Sequence, residues 1–257
     1  MKIKLITLNL FQGGLYFKNI KNFLEKEKPD ILCLQEVFDS HDKSAKENLR
    51  SIDILKRLLP SYYYHFAPEL LSVNNGIEAP LGNAIFSKFL ITKTNTIFYD
   101  IPYGKYNAYL KNDNKYDPSM EPKNLEYVQV DLGKASINIF NTHGIWGQHG
   151  NDTKRRLQMG QVIINQIKGK ENVILAGDFN LFPNTQTVKN IEKHLKNVFA
   201  NELKTTFNIK LKLQPGNYGR AVVDMIFLSK NIRILKKYCP DVNVSDHFPL
   251  ICNIELS

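Results

Sequence analysis

The chain predicts an α+β protein: two mostly antiparallel sheets packed face to face with helices outside, a four-layer α/β/β/α sandwich. Two observations carry this. Short apolar runs rich in β-branched residues recur along the chain, each ending on a polar side chain of metal-binding or hydrogen-bonding type. Between them lie stretches with apolar residues at helical spacing.

The elements follow in order. Ile3 to Leu8 ends at Asn9, and Ile31 to Gln35 ends at Glu36. Ser136 to Thr142 ends at His143, Val173 to Gly177 at Asp178 with Asn180 two residues on, and Val222-Val223 lead into Asp224 and Met225 to Leu228. Flanking Gly, Pro and Asn favour strands over short buried helices for these runs. Leu15 to Glu27 has Phe17, Ile20 and Leu24 on one helical face before Pro29. Leu49, Ile52, Leu55 and Leu59 make a second helix stopped by Pro60, and Thr153 to Ile167 and Thr187 to Val198 make two more. The alternating runs Tyr127 to Leu132 and Ile137 to Phe140 read as neighbouring strands joined at Gly133-Lys134. The polar, Tyr-rich stretch from Asp100 to Asn124 reads either as a substrate-recognition loop or as a surface excursion.

At 257 residues, with candidate site segments near both ends, a single domain over 1–257 is expected. The formal net charge of +9 fits a polyanionic partner, but the lysines are spread along the chain, which favours compositional drift over a basic face. Cys33, Cys239 and Cys252 lack CxxC spacing, the odd count suggests reduced thiols, and no leader-like or membrane-length apolar run appears. A cytoplasmic protein is expected.

Carboxylate and amide oxygens at strand ends are hard ligands, suited to Mg²⁺ or Ca²⁺ rather than zinc. A histidine beside an aspartate, as in Ser245-Asp246-His247, can contact a phosphate oxygen or move a proton. Together they point to hydrolysis at phosphorus.

Seven segments then carry a resemblance: Thr7-Leu8-Asn9, Leu34-Gln35-Glu36-Val37, Gly82-Asn83-Ala84-Ile85-Phe86-Ser87, Asn141-Thr142-His143, Gly177-Asp178-Phe179-Asn180, Val223-Asp224-Met225-Ile226-Phe227 and Ser245-Asp246-His247. In composition and order they resemble the endonuclease/exonuclease/phosphatase (deoxyribonuclease I-like) superfamily over essentially the whole chain. The resemblance implies that Glu36, Asn9 and Asp246 hold Mg²⁺, with Mn²⁺ as a substitute, and that Asp178 positions and deprotonates the attacking water. It implies that Asn180 contacts a phosphate oxygen or that same water, and that His247, backed by Asp224, donates to the non-bridging oxygens. His143 resembles a second histidine of the deoxyribonuclease and tyrosyl-phosphodiesterase branches, a phosphate contact or a leaving-group acid. Asn83 matches a supporting position.

His41, His65, His149 and His194 lack motif context, and Arg155 or Arg156 reads as a phosphate contact or, favoured for both, as a helix-start ion-pair residue. Trp146, just after His143, reads either as a stacking platform or as a loop residue packed on the core. The expected activity is metal-dependent phosphodiester hydrolysis on DNA, RNA or a nucleic-acid adduct, with no obligate protein partner. The alternatives are a phosphatase or lipid-headgroup phosphodiesterase on the same site and, more remotely, a non-catalytic binding protein.

Overall fold

The computed structural model describes residues 1–74, 76–107, 117–147, 149–212 and 221–256. Of the 100–124 stretch, positions 108–116 lie outside the described residues. The strands are β1 (Lys2–Asn9), β2 (Ile31–Phe38), β3 (Tyr63–Asn74), β4 (Ile77–Ser87), β5 (Ile91–Phe98), β6 (Lys105–Asn107), β7 (Asn124–Asp131), β8 (Ser136–His143), β9 (Val173–Asp178), β10 (Lys196–Asn197), β11 (Asp224–Leu228), β12 (Arg233–Tyr238) and β13 (Leu250–Glu255). The helices are α1 (Phe17–Glu27), α2 (Ser51–Leu58), α3 (Lys154–Ile167) and α4 (Gln186–Glu192).

One sheet runs β12-β13-β1-β2-β4-β3-β6 and the other β10-β11-β9-β8-β7-β5. Among the described residues the parallel neighbours are β1 with β2, β3 with β6 and β8 with β9, and the other pairings are antiparallel.

Side-chain alternation assigns the layers. Ile3, Leu5, Ile31 and Cys33 of the first sheet meet Val128, Ile139, Ile174, Ala176 and Ile226 of the second. Their strand neighbours point the other way: Ile6, Leu8, Leu32 and Leu34 pack beneath Ile20, Leu24, Ile52 and Leu55 of α1 and α2. Val173, Leu175 and Phe227 pack beneath Met159, Ile163, Val188 and Ile191 of α3 and α4. Strands covered on both faces are apolar at consecutive positions, as in Val173 to Ala176. This is the four-layer sandwich the sequence predicts.

Thr153 caps α3, its hydroxyl accepting from the Arg156 amide. The last helix is shorter than the 187–198 span predicted: α4 ends at Glu192, and Lys196–Asn197 pair with Phe227 and Leu228 as β10. Leu195 and Val198 are buried as expected, so the apolar signal was sound but the period at the end was not helical. The three cysteines are free. Among the described residues no helix is long and apolar enough to cross a membrane.

Candidate active site

Strand register brings the polar strand ends together. The parallel β8–β9 pair sets His143 opposite Asp178, and the antiparallel β9–β11 pair sets Asp224 opposite Asp178 on the other side. In the first sheet, β1 and β2 set Asn9 beside Gln35, one residue before Glu36. The turn before β13 is tied to the same end: the Ser245 hydroxyl donates to the Asn9 carbonyl at 2.6 Å and accepts from the His247 amide at 3.1 Å.

Backbone irregularities aim two carboxylates. The β2–β4 register slips between Leu34 and Val37, leaving Glu36 as part of a bulge with φ 55°. The β3–β4 register slips between Pro68 and Leu70, leaving Glu69 unpaired in the same way. Both bulges flank Gly82 of β4, which pairs with Val37 on one side and Pro68 on the other. A Cβ at Gly82 would lie 2.1 Å from the Ala67 carbonyl oxygen, so only glycine allows this approach. Asn180 is also left-handed, at φ 52°. Such conformations cost about 1–3 kcal/mol each and concentrate at functional sites.

Asp178 is the hub. Its Oδ2 accepts from the Asn9 amide at 3.2 Å and lies 3.8 Å from His143 Nε2 and 3.9 Å from His247 Nε2. Its Oδ1 accepts from the Asn180 backbone amide at 2.9 Å. His247 Nδ1 meets Asp224 at 2.8 Å, and its Nε2 is 3.9 Å from Asp246. Phe207 packs edge-on against the His247 ring at 4.6 Å. Burial opposes charge on His247, but the carboxylates of Asp224, Asp246 and Asp178 overcome it and push the ring up to about 10. It is therefore an imidazolium at neutral pH, with Nδ1–H on Asp224 and Nε2–H directed into the site. Asp178 is raised to about 6, by burial and then by Asp224. Asp246 is raised to about 6 by burial, with Glu36 adding to the effect against His247.

His143 is driven the opposite way, well below the usual imidazole range, by burial and then by the Lys123 ammonium and charged His247. Two facing histidines with divergent protonation are a signature of divided acid–base roles. The groups behind His143 were not found by sequence reasoning. Lys123, only 1 % exposed, contacts Glu69 at 3.0 Å, Glu121 at 3.3 Å and His143 Nδ1 at 3.3 Å. Asn83, expected to support the site, donates to Glu69 and to the Asn124 side chain, both at 3.0 Å. Further in, Gln35 donates to Asn141 at 2.6 Å and Asn141 to Glu126 at 3.0 Å, so the site rests on a buried polar ribbon between the sheets. Lys212, its ammonium 3.3 Å from the Phe207 ring centroid, feels the Asp246, Asp178, Asp224 and Glu36 charges.

Two residues enter the site with other contacts than anticipated. The Asn9 side-chain oxygen accepts from the Phe11 amide at 2.9 Å, while its NH₂ donates to Glu36 and Asp178, both at 3.2 Å. Asn9 thus separates two carboxylates as a donor. Asn180 donates its amide to the Gly144 carbonyl at 3.0 Å.

The donor set suits a hard divalent ion. Asp178, Asp224 and His247 offer ligand-type atoms within 4.8 Å of one another. The nearest of these contacts is the His247–Asp224 hydrogen bond, which commits that ring nitrogen. Asp246 and Glu36 remain: burial, and then the Glu36 charge, raise Asp246 against the pull of His247, a state that a bound cation would relieve.

Three residues after His143, Trp146 is 38 % exposed and lines a groove of about 630 Å³ with Asp117, Pro118, Ser119, Lys154 and Arg155. Arg155 ion-pairs with Asp100, as a helix-start residue would. Arg156 instead turns inward and donates to the backbone carbonyls of Ile145, His149 and Asn151, holding the loop that carries Trp146.

Solved structures share this fold. One from Beutenbergia cavernae, described as an endonuclease/exonuclease/phosphatase, aligns with a TM-score of 0.76 at 16 % identity, covering 100 % of this chain and 72 % of that one. D. rerio TDP2 complexed with single-strand DNA product aligns at 0.71 and 17 %, covering 99 % of both chains. A Bacteroides thetaiotaomicron mannosyl-6-phosphatase aligns at 0.69 and 19 %, covering 99 % of this chain and 100 % of that one. At these identities the likeness is one of fold. A search of curated protein sequences finds no significant match. The profile of the Endonuclease/Exonuclease/phosphatase family, however, matches residues 6–247. The chain belongs to that family, which makes it a phosphoester hydrolase by descent.

Proposed function

We propose that the protein is a single-domain, divalent-metal-dependent phosphodiesterase that cleaves by in-line attack of an activated water. One observation carries the reading: Asp178 lies between two histidines of opposite protonation, 3.8 Å from His143 and 3.9 Å from His247. A phosphate between the two rings receives hydrogen bonds from both while Asp178 holds the water on the attacking side. A pKa of about 6 leaves Asp178 ionised at neutral pH yet basic enough to accept a proton. Charge growing on the non-bridging oxygens is met by the His247 imidazolium, whose orientation Asp224 fixes. Glu36 and Asp246 hold the divalent ion, Mg²⁺ or Mn²⁺, which supplies charge neutralisation at the phosphoryl oxygens and leaving group. Asn9 spaces the Glu36 and Asp178 carboxylates, donating to each through its side-chain NH₂.

Nucleic acid or a nucleic-acid adduct is the preferred substrate. The exposed Trp146, in a groove that also carries Lys154, gives a stacking surface on the loop that follows His143. Fold similarity to a protein captured with a DNA product favours the same choice. A second reading, monoester hydrolysis, is favoured by the similarity to a mannosyl-6-phosphatase. The test is hydrolysis, with Mg²⁺ and with EDTA, of single- and double-stranded DNA, RNA, a 5′-tyrosyl oligonucleotide, a phosphoinositide, sphingomyelin and a sugar phosphate, with His247→Ala as blank. Metal-dependent cleavage of a nucleic-acid member is expected. Cleavage of the sugar phosphate alone would shift the reading to a phosphatase.

A further inference from the structure

We infer that Lys123 is a positioning residue: its buried ammonium donates to His143 Nδ1 and so holds that ring neutral, with its proton on Nε2 facing Asp178. The role in turnover rests on the reading proposed above; the protonation pattern itself does not.

The contacts leave little freedom. An ammonium has three protons and no lone pair. Here three acceptors surround it: Glu69 Oε2 at 3.0 Å, Glu121 Oε2 at 3.3 Å and His143 Nδ1 at 3.3 Å. A ring nitrogen that accepts from an ammonium carries no hydrogen, so the ring's proton is on Nε2. Turning the ring over would set a C–H against the buried ammonium and leave one of its donors unmet. The rival arrangement, Nδ1–H donating to Glu69, needs a shorter reach than the 3.8 Å between those atoms. Glu69 is already engaged by Lys123 and by Asn83. The other charged groups facing the ring are Asp178 and His247. Burial, Lys123 and His247 all weigh against a second proton on His143.

The consequence is a division of labour. His247 is the charged donor, while His143 is a neutral Nε2–H donor aimed at the same phosphate. Of the two roles open to His143, phosphate contact and leaving-group acid, Lys123 selects the first, because a neutral imidazole has no ready proton to lose.

The test is spectroscopic and needs no substrate. Two-bond ¹⁵N–¹H correlation spectra of ¹⁵N-histidine-labelled protein, with His143→Gln to assign the signal, report each ring nitrogen directly between pH 6 and 8. The expected result is a bare Nδ1 and a protonated Nε2 throughout, changing to Nδ1–H or a doubly protonated ring in Lys123→Met. A wild-type ring that is doubly protonated, or carries Nδ1–H, overturns the inference. So does a folded Lys123→Met protein that keeps the wild-type pattern, since then Lys123 only neutralises Glu69. Should Lys123→Met fail to fold, the wild-type spectrum still decides. Absence of turnover on every substrate would count against the proposed function and leave this pattern standing.

Discussion

Gly177 offers the sharpest test of how the sheet holds the site. It has φ +141° and pairs with Thr142, one rung before His143 opposite Asp178. In Gly177→Ala the new Cβ falls 2.0 Å from the Thr142 carbonyl oxygen, and real contacts of this kind stay beyond 3.0 Å. Strands β8 and β9 must therefore part by about 1 Å at that rung, the difference of those two distances. Backbone strain adds about 1–3 kcal/mol, which in a protein of this size lowers Tm by about 2–12 °C. Displacing His143 from Asp178 by about 1 Å is expected to lower turnover roughly 10²-fold. Gly133→Ala is the control: φ is +82° at the β7–β8 hairpin, but nothing lies within 4 Å of the added atom. It should lose some stability and keep full activity. Thermal melts and kcat on the substrate identified by the panel measure both. If Gly177→Ala melts with the wild type and turns over at its rate, the close approach at Thr142 does not position the site.

Asp178→Asn should fold but lose about 10²–10⁴-fold in kcat; near-normal turnover would remove Asp178 from the mechanism. The new amide keeps its oxygen for the Asn180 N–H only by turning its NH₂ against the Asn9 NH₂, so a small drop in Tm should accompany the loss. In metal-free protein, His247 is raised from 6.5 to about 10, so its stabilisation is complete below pH 6.5 and is lost as pH rises through 10. Urea melts in EDTA across that window should show the decline, and Asp224→Asn, which removes the carboxylate charge beside Nδ1, should flatten it; an equal decline in the variant would sever the pair. Mg²⁺ at a hundredfold its Kd should stabilise the fold by about 2.7 kcal/mol, visible as a Tm rise that Glu36→Gln abolishes. An undiminished rise in Glu36→Gln would place the ion elsewhere.

The sequence pointed to the clustered side chains wherever an apolar strand runs into a polar residue. Val173 to Asp178 is apolar at consecutive positions because both faces are covered, and the first polar residue marks the strand end. The same logic pointed to Asn9 and His143, and also to Asp224, which opens β11 rather than ending a strand. It could not find Glu69, because the bulge at Pro68/Leu70 breaks the alternation that makes a lone carboxylate conspicuous. Nor could it find Lys123, which reads as one more solvated lysine; only the tertiary packing buries it against Glu69, Glu121 and His143. The edge strands β5 and β12, with their largely exposed side chains, left no apolar signature to follow. Asn9 was visible as a site residue, but not that its oxygen faces Phe11 and its NH₂ faces the carboxylates.

The paired bulges around Gly82 also bear on how such a protein changes over generations. Exchanging Glu36 or Glu69 for an amide silences one side chain and leaves the architecture intact, so activity can drift away and return by single substitutions. Deleting either residue is a different event. It closes the bulge into a regular ladder, with Val37 still on Gly82 or Leu70 still on Leu81, and removes the local bend that aims the carboxylate. Insertions and deletions should therefore be purged from these two places and tolerated instead at turns such as Gly133-Lys134 between β7 and β8, where an added Cβ meets nothing within 4 Å and the centre stays unaltered.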